Sequence, residues 1–376
     1  MESLARIMFN DAYHDKRVLV TGHTGFKGGW LSLWLKQLGA RVYGLGLAAP
    51  SQPNLHEIVC ARTFEREIIC DIRDKTRLEA ATREIAPDVI FHLAAQALVR
   101  PSYLDPVGTL ETNVIGTANL LQAVCQAQLP CTVIVVTSDK CYQNHGWDYG
   151  YRESDPLGGR DFYSMSKAAA ELVVQSWRET YFAGDDRLGH LVSVRAGNVI
   201  GGGDYAEDRI VPDCVRALLA GRPIRVRNPA STRPWQHVLD CLSGYLWLGA
   251  RVMSAPKTSP LVGAFNFGPG VQAEVPVSQL VESILKLWPG EWEQTGPTDG
   301  RHEAHRLNLA IDKAAALLQW LPTWSFSEAI EHTVSWYHQR HVIAGPDMLA
   351  FCLSQLEAFA AAAKAKGIAW AQASGA

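Results

Sequence analysis

An α/β fold is expected, built on a doubly wound parallel sheet with a smaller C-terminal substrate-binding lobe. Three observations predict it. Over the first 200 residues, short β-branched runs alternate with helix-length amphipathic segments. A glycine-rich turn follows the first of those runs directly. After Gly201 the alternation breaks down into short pieces.

The strand-like runs are RVLVT (17–21), RVYGLGL (41–47), EIIC (67–70), DVIFHLA (88–94), CTVIVVTS (131–138) and LVSVRAG (191–197). Most are near-continuous in apolar residues, as strands covered on both faces are. Helical segments lie between most of them. WLSLWLKQLG ends at Gly39 as a helix stop, and DKTRLEAATREIAP is stopped by Pro87. VGTLETNVIGTANLLQAVCQAQ supplies another. In the second half, AFNFGPG reads as a strand with a turn and VPVSQLVESILKLWPG as a helix. RLNLAIDKAAALLQWL reads as a strand end leading into a helix. This part is too irregular to extend the sheet by itself. The expected division is a dinucleotide-binding domain at 14–200 and a mainly substrate-binding lobe at 201–345. The Ala-rich tail at 346–376 is expected to be helical or partly disordered.

The chemistry concentrates in two places. VLVTGHTGFKGGW puts Gly22, Gly25 and Gly28 after the first strand and at the start of a helix. Glycines there allow a tight turn, close approach of a pyrophosphate and helix–strand contact, with the anion on free N–H groups. A glycine triplet alone can be a structural turn; its context of strand and helix makes it a Rossmann-like dinucleotide site. The second place is TSDKCYQNHGWDYGYRESDPLGGRDFYSMSKAAAE. Tyr163 and Lys167, four apart, fall on one helix face, and Ser138 ends the strand beside them. A tyrosine must lose its proton to act as a base, and a neighbouring ammonium favours the phenolate. Asp139 and Lys140 are superfluous to a simple alcohol dehydrogenase. They suit a dehydratase. Once a sugar hydroxyl at carbon 4 is oxidised, the carbon 5 proton becomes acidic. Loss of water across carbons 5 and 6 then needs a base and an acid. The competing reading of this pair is a surface salt bridge.

Bulk composition excludes several classes. The chain has 376 residues, 47% hydrophobic and 19% charged, with a formal net charge of −3. Such a balance gives no reason to expect a nucleic-acid or membrane partner. The opening MESLARIMFNDAYHD lacks a basic start and a long apolar run, so no secretory signal is expected. The eight cysteines are scattered, with no Cys-x-x-Cys pair, which fits a reduced cytoplasmic protein without structural zinc. His302 and His305 are one residue too close for the His-Glu-x-x-His zinc motif, so no metal site is expected.

With these residues in view, the chain resembles the nucleotide-sugar dehydratases of the extended short-chain dehydrogenase family. The resemblance covers about residues 14–340. It rests on TGHTGFKGGWL, HLAAQALVRPSYLDPVGTLETNVIGT, TSDKCYQN, GYRESDPLGGRDFYSMSK, RAGNVIGGGD and RPWQHVLD. It implies a bound nicotinamide dinucleotide on Gly22, His23, Gly25, Phe26 and Gly28, with Tyr163 and Lys167 also against it. Asp71 and Ile72 stand where that family holds the adenine, and Ala94 and Ala95 where the cofactor backbone passes. His23 is read at the adenosine ribose, with a solvated loop side chain as the competing reading. The usual acid at the end of the second strand is absent, since the chain reads GLGLAAPS there with Ala48 and Ala49. No arginine replaces it for a 2′-phosphate, so NAD is expected over NADP.

The resemblance implies Tyr163 as base at carbon 4, Asp139 as acid for the leaving hydroxyl and Lys140 near carbon 5. Relatives acting on dTDP-glucose or GDP-mannose carry Asp-Glu at this pair; lysine marks the branch acting on CDP-glucose. Asn198, Arg233, Arg209, Arg100 and Glu303 are the implied substrate contacts. For Arg100 and Arg209 a solvated surface side chain is the competing reading. The family also implies a homodimer or homotetramer. Three alternatives stay open: a nucleotide-sugar epimerase on the same scaffold, which has no need of the Asp–Lys pair, a 4,6-dehydratase of a different nucleotide sugar, and a non-catalytic NAD-binding regulator, which has no need of Ser138, Tyr163 or Lys167.

Overall fold

The computed structural model describes residues 8–60, 62–270, 273–296, 307–345 and 347–372. Seven parallel strands form the central sheet: β1 Arg17–Thr21, β2 Arg41–Gly46, β3 Arg66–Ile69, β4 Val89–His92, β5 Thr132–Val136, β6 Leu191–Ala196 and β7 Ala264–Phe267. Their order is β7-β6-β5-β4-β1-β2-β3. The chain therefore reverses direction between β1 and β4, and such a switch point leaves a crevice at the carboxyl ends of the strands. Thr21 pairs with Leu45 on one side and with His92 on the other.

Strand side chains alternate between two cores, as a period of two requires. Leu19, Ile90, Val133 and Val135 point into one of them. Helices α1 Phe26–Gln37, α2 Lys75–Ile85, α3 Gly116–Ala127 and α4 Phe162–Trp177 connect the first six strands. Of these, α2, α3 and α4 cover the first face through Leu78, Leu120, Leu121, Val124 and Val174. Val18, Val20, Phe91 and Ile134 point to the opposite face. There they meet α1 and a later helix, α5 Ile210–Leu219 being followed by α6 Val238–Met253 on the sheet. Asp161 caps α4 by accepting from the Ser164 N–H at 2.8 Å, which fixes where the Tyr163–Lys167 helix begins.

The second half differs from its sequence expectation in one respect. The AFNF run is not confined to the lobe. It is β7, hydrogen-bonded parallel to β6, and it lengthens the sheet by one strand. Four residues are too few for periodicity to reveal which sheet a strand will join. The rest of this half makes three two-stranded pairs and helices α7 Val277–Leu287, α8 Asp312–Leu318, α9 Phe326–His341 and α10 Met348–Ala365. The Ala-rich tail is ordered helix through Ala365. Cys352, Leu356, Phe359 and Ala363 of α10 are buried, and Phe359 meets Trp34 of α1 edge-on at 5.8 Å. By length and hydropathy α10 is the single candidate membrane span among the described residues, and it is spent as a core helix.

Candidate active site

A cleft of about 2330 Å³ opens at the carboxyl ends of the strands. Seventeen of the sequence-predicted positions line it. Gly22, Gly25, Phe26 and Gly28 come from the turn after β1, Asp71 and Ile72 from beyond β3, and Ala94, Ala95 and Arg100 from beyond β4. Ser138, Asp139 and Lys140 follow β5; Tyr163 and Lys167 sit on α4; Asn198, Arg209 and Arg233 close the far wall. Two predicted residues are not among them. Glu303 lies outside the described residues. The His23 side chain is fully buried beneath β2, and its Nε2 donates to Glu67 at 3.0 Å, a carboxylate that also contacts His56. The expectation of a His23 side chain at the ribose is therefore corrected: its ring fills the space left by Gly44, where a Cβ would lie 2.5 Å from the imidazole.

The glycine turn is shaped for a dinucleotide. A Cβ on Gly28 would lie 2.2 Å from the Gly22 carbonyl oxygen, and one on Gly22, at φ +72°, would lie 2.7 Å from the Ala94 nitrogen. Only bare backbone fits, and it opens onto the first turn of α1, where N–H groups are unpaired by helix geometry. At the β3 end of the cleft Arg73 grips Asp71 with Nε and Nη2, and that hydrogen bonding holds the Asp71 carboxyl below its ordinary range.

The predicted catalytic residues crowd together at the other end. Ser138 Oγ donates to Asp139 Oδ1 at 2.9 Å, and Lys140 Nζ approaches the same oxygen at 3.3 Å. Asp139 is 1% exposed, and its second oxygen, Oδ2, has no hydrogen-bond partner. A Cβ on Gly197 would come within 3.0 Å of that oxygen, so this glycine makes room for the acid. Lys167 Nζ lies 6.0 Å from the centre of the Tyr163 ring. Burial pushes the Tyr163 phenol up to about 12; the Ser138 hydrogen bond opposes the shift and the Asp139 charge adds to it. Burial, then the nearby Lys27, brings Lys167 down to about 8.

Three contributors escaped the sequence reading. Lys27 lines the cleft and is held below its ordinary pKa by burial. Its signal was a charge in the first turn of an otherwise apolar helix. Asn113 is buried, donates to Ser166 of α4 at 2.8 Å and to the Gln96 carbonyl at 3.0 Å, and so ties the strand β4 exit to the catalytic helix. Arg195 of β6 pairs with Glu171 of α4 at 2.8 Å, both nearly inaccessible. Arg209 and Arg100 also reach acids, Asp204 at 2.8 Å and Asp208 at 2.9 Å.

Residues 18–266 match the model of the NAD dependent epimerase/dehydratase family. The chain is 44% identical to CDP-glucose 4,6-dehydratase of Salmonella typhimurium over 342 residues, covering 90% of this chain and 94% of that one. It is 30% identical to UDP-glucose 4-epimerase of Mycolicibacterium smegmatis, over 86% of this chain and 99% of that one. Among solved structures, DesIV, the dTDP-glucose 4,6-dehydratase of Streptomyces venezuelae with NAD and TYD bound, superposes with a TM-score of 0.74. It is 26% identical, and the match covers 88% of this chain and 99% of that one. Fold, glycine turn and catalytic helix agree with these likenesses: the chain belongs to the NAD dependent epimerase/dehydratase family.

Proposed function

We propose that the protein is a CDP-D-glucose 4,6-dehydratase, forming CDP-4-dehydro-6-deoxy-D-glucose and water. The observation that carries this reading is the Asp139–Lys140 pair set beside Ser138 and Tyr163 in one buried wall of the cleft. The 44% identity to a CDP-glucose enzyme supports the substrate. NAD held on the Gly22–Gly28 turn would take hydride from carbon 4 and give it back at carbon 6. Tyr163 takes the proton of the carbon 4 hydroxyl, with Ser138 hydrogen-bonded to that phenol. Lys167 supplies positive charge on the same helix face. Lys140 faces carbon 5, whose proton leaves in the elimination and is restored when hydride reaches carbon 6, so the net loss is one water. Asp139 is the proton donor to the hydroxyl leaving carbon 6, through Oδ2, since Oδ1 is already engaged. Arg233 and Arg209 meet the diphosphate and sugar hydroxyls from the far wall, with Asn198 beside them, and Arg100 does so from beyond β4.

The test is incubation with CDP-, dTDP-, UDP- and GDP-linked sugars, followed by mass spectrometry. Loss of water from CDP-glucose is expected, with little from dTDP-glucose; comparable rates on both would remove the assignment of the base. The cofactor is read as NAD, and tighter binding of NADP in calorimetry would reverse that. We further place the enzyme in the cytoplasm as a homodimer or homotetramer. All eight cysteines are free. Leu104, Val107, Ile115 and Leu172, on neighbouring helices of one face, are each more than half exposed.

A further inference from the structure

Among the described residues one group of three metal-ligating side chains converges: His23 from the glycine turn, His56 from the short helix Leu55–Val59 and Glu67 from β3. None of the three lines the cleft. Their ligand atoms all lie within 4.8 Å of one another. Both imidazoles turn the same atom, Nε2, toward the same carboxylate oxygen, Oε1 of Glu67; His23 reaches it at 3.0 Å and His56 is closer still. The place is built for the His23 ring. β2 has no side chain at Gly44, where a Cβ would lie 2.5 Å from the imidazole. Phe64 stands edge-on to His23 at 5.0 Å and tilted to His56 at 5.8 Å, an apolar wall common to both rings. His23 is closed off from solvent, while His56 and Glu67 keep 19% and 34% of their side chains exposed, so an ion can reach the point where the three meet.

Without an ion the arrangement crowds two donors onto one acceptor and leaves a fault. With its proton on Nε2 for Glu67, His23 has a bare Nδ1 that is buried with no hydrogen-bond partner. An unsatisfied buried ring nitrogen is costly. A cation at the meeting point takes the lone pair of Nε2 and puts the proton on Nδ1, where the Leu45 carbonyl is at hand as an acceptor. It also replaces the second N–H directed at Oε1, that of His56. Two neutral imidazoles and one carboxylate are donors that divalent first-row cations take, zinc(II) among them. Around a tetrahedral zinc the ligand atoms stand about 3.3 Å apart, so a slight opening of the group admits the ion.

We propose that His23, His56 and Glu67 form a binding site for a divalent first-row cation of the zinc(II) class, with water in the fourth position on the exposed side. Separations of 44 and 11 residues carry no zinc signature, which is why the sequence offers only His302 and His305 for a metal. The ion would fasten the glycine turn to β3 and to the Leu55–Val59 helix. The stretch before that helix lines the cleft with Ser51, Gln52 and Asn54, so this wall would be pinned as well.

The test is calorimetric titration of zinc chloride into the whole enzyme after chelator treatment, with cobalt(II) chloride in a parallel spectroscopic titration. One ion per chain is expected, with the visible cobalt(II) bands of a four-coordinate site, and zinc should raise the thermal unfolding midpoint. His56→Ala and Glu67→Gln should each weaken that site at least tenfold and lose the midpoint shift. Both positions are partly exposed and should keep native circular dichroism; if one variant does not fold, the other carries the comparison. A His302→Gln, His305→Gln double variant should keep the site. Zinc binding that is absent from the whole enzyme, unchanged in His56→Ala and Glu67→Gln, or lost only in the double variant overturns the proposal, and Glu67 is then simply an acid shared by two histidines. None of these readouts depends on which sugar the cleft dehydrates.

Discussion

Tyr163 and Asp139 share a hydroxyl neighbour in Ser138, yet their proposed tasks fall at different moments of turnover. Tyr163→Phe removes the proton acceptor for the first oxidation, so no reduced nicotinamide absorbance is expected on adding CDP-glucose. Asp139→Asn leaves that step intact and removes the later proton donor, so reduced-nicotinamide absorbance should build up and persist. Each loss should be about a hundred- to ten-thousand-fold in turnover. Normal dehydration by Asp139→Asn would make the Asp139–Lys140 contact a structural salt bridge. Lys167 gives a different prediction. Its folded pKa is about 8, against an ordinary 10.5. Below pH 8 the native state carries a buried ammonium at full cost. Between pH 8 and 10.5 the unfolded chain binds the proton and the native chain sheds it, so stability rises with pH there. Lys167→Met should abolish activity yet stabilise the fold at pH 7 by up to about 3 kcal/mol. Urea denaturation at pH 7 and pH 10.5 checks it: the gain should vanish at the higher pH, and a less stable variant at pH 7 would contradict it.

The helix α4 and strand β6 act as one clamp under the catalytic turn. Glu171 and Arg195 meet at 2.8 Å with 3% and 4% side-chain exposure. Glu171→Gln would leave the Arg195 charge buried without its counterion, and a loss of about 3–5 kcal/mol in urea unfolding is expected. A change under about 1 kcal/mol would mean that water reaches the Arg195 charge. Much of this element-scale picture is legible in sequence. The glycine turn and the Tyr163–Lys167 spacing are local facts, fixed within a few residues. What the sequence hides is direction. His23 stands in the turn as expected, but whether its ring faces the cleft depends on Gly44 of β2, 21 residues away, lacking a side chain. Lys27 and Gly197 are hidden for the same reason: their neighbours in space, Lys167 and Asp139, are far along the chain.

At the scale of the molecule, the exposed apolar face predicts an assembly. Leu172 on α4 is 56% exposed and Leu104 81% exposed. Leu172→Glu combined with Leu104→Glu should halve the mass seen by light scattering while leaving circular dichroism unchanged; a wild-type monomer would end the proposal. The seventh strand has a separate consequence, for how the chain is made. β6 is buried along its full length, and its outer edge is closed by β7. From Ala196, which ends β6, to Phe267, which ends β7, the ribosome must add 71 residues. At ordinary synthesis rates that takes roughly 4–14 s, during which the nascent sheet carries an unprotected hydrophobic edge. A chain ended at residue 200 would keep that edge for its lifetime and pair with its own copies. A fragment ended where the strand–helix alternation stops is therefore expected to aggregate, and one carried through Phe267 to do so less.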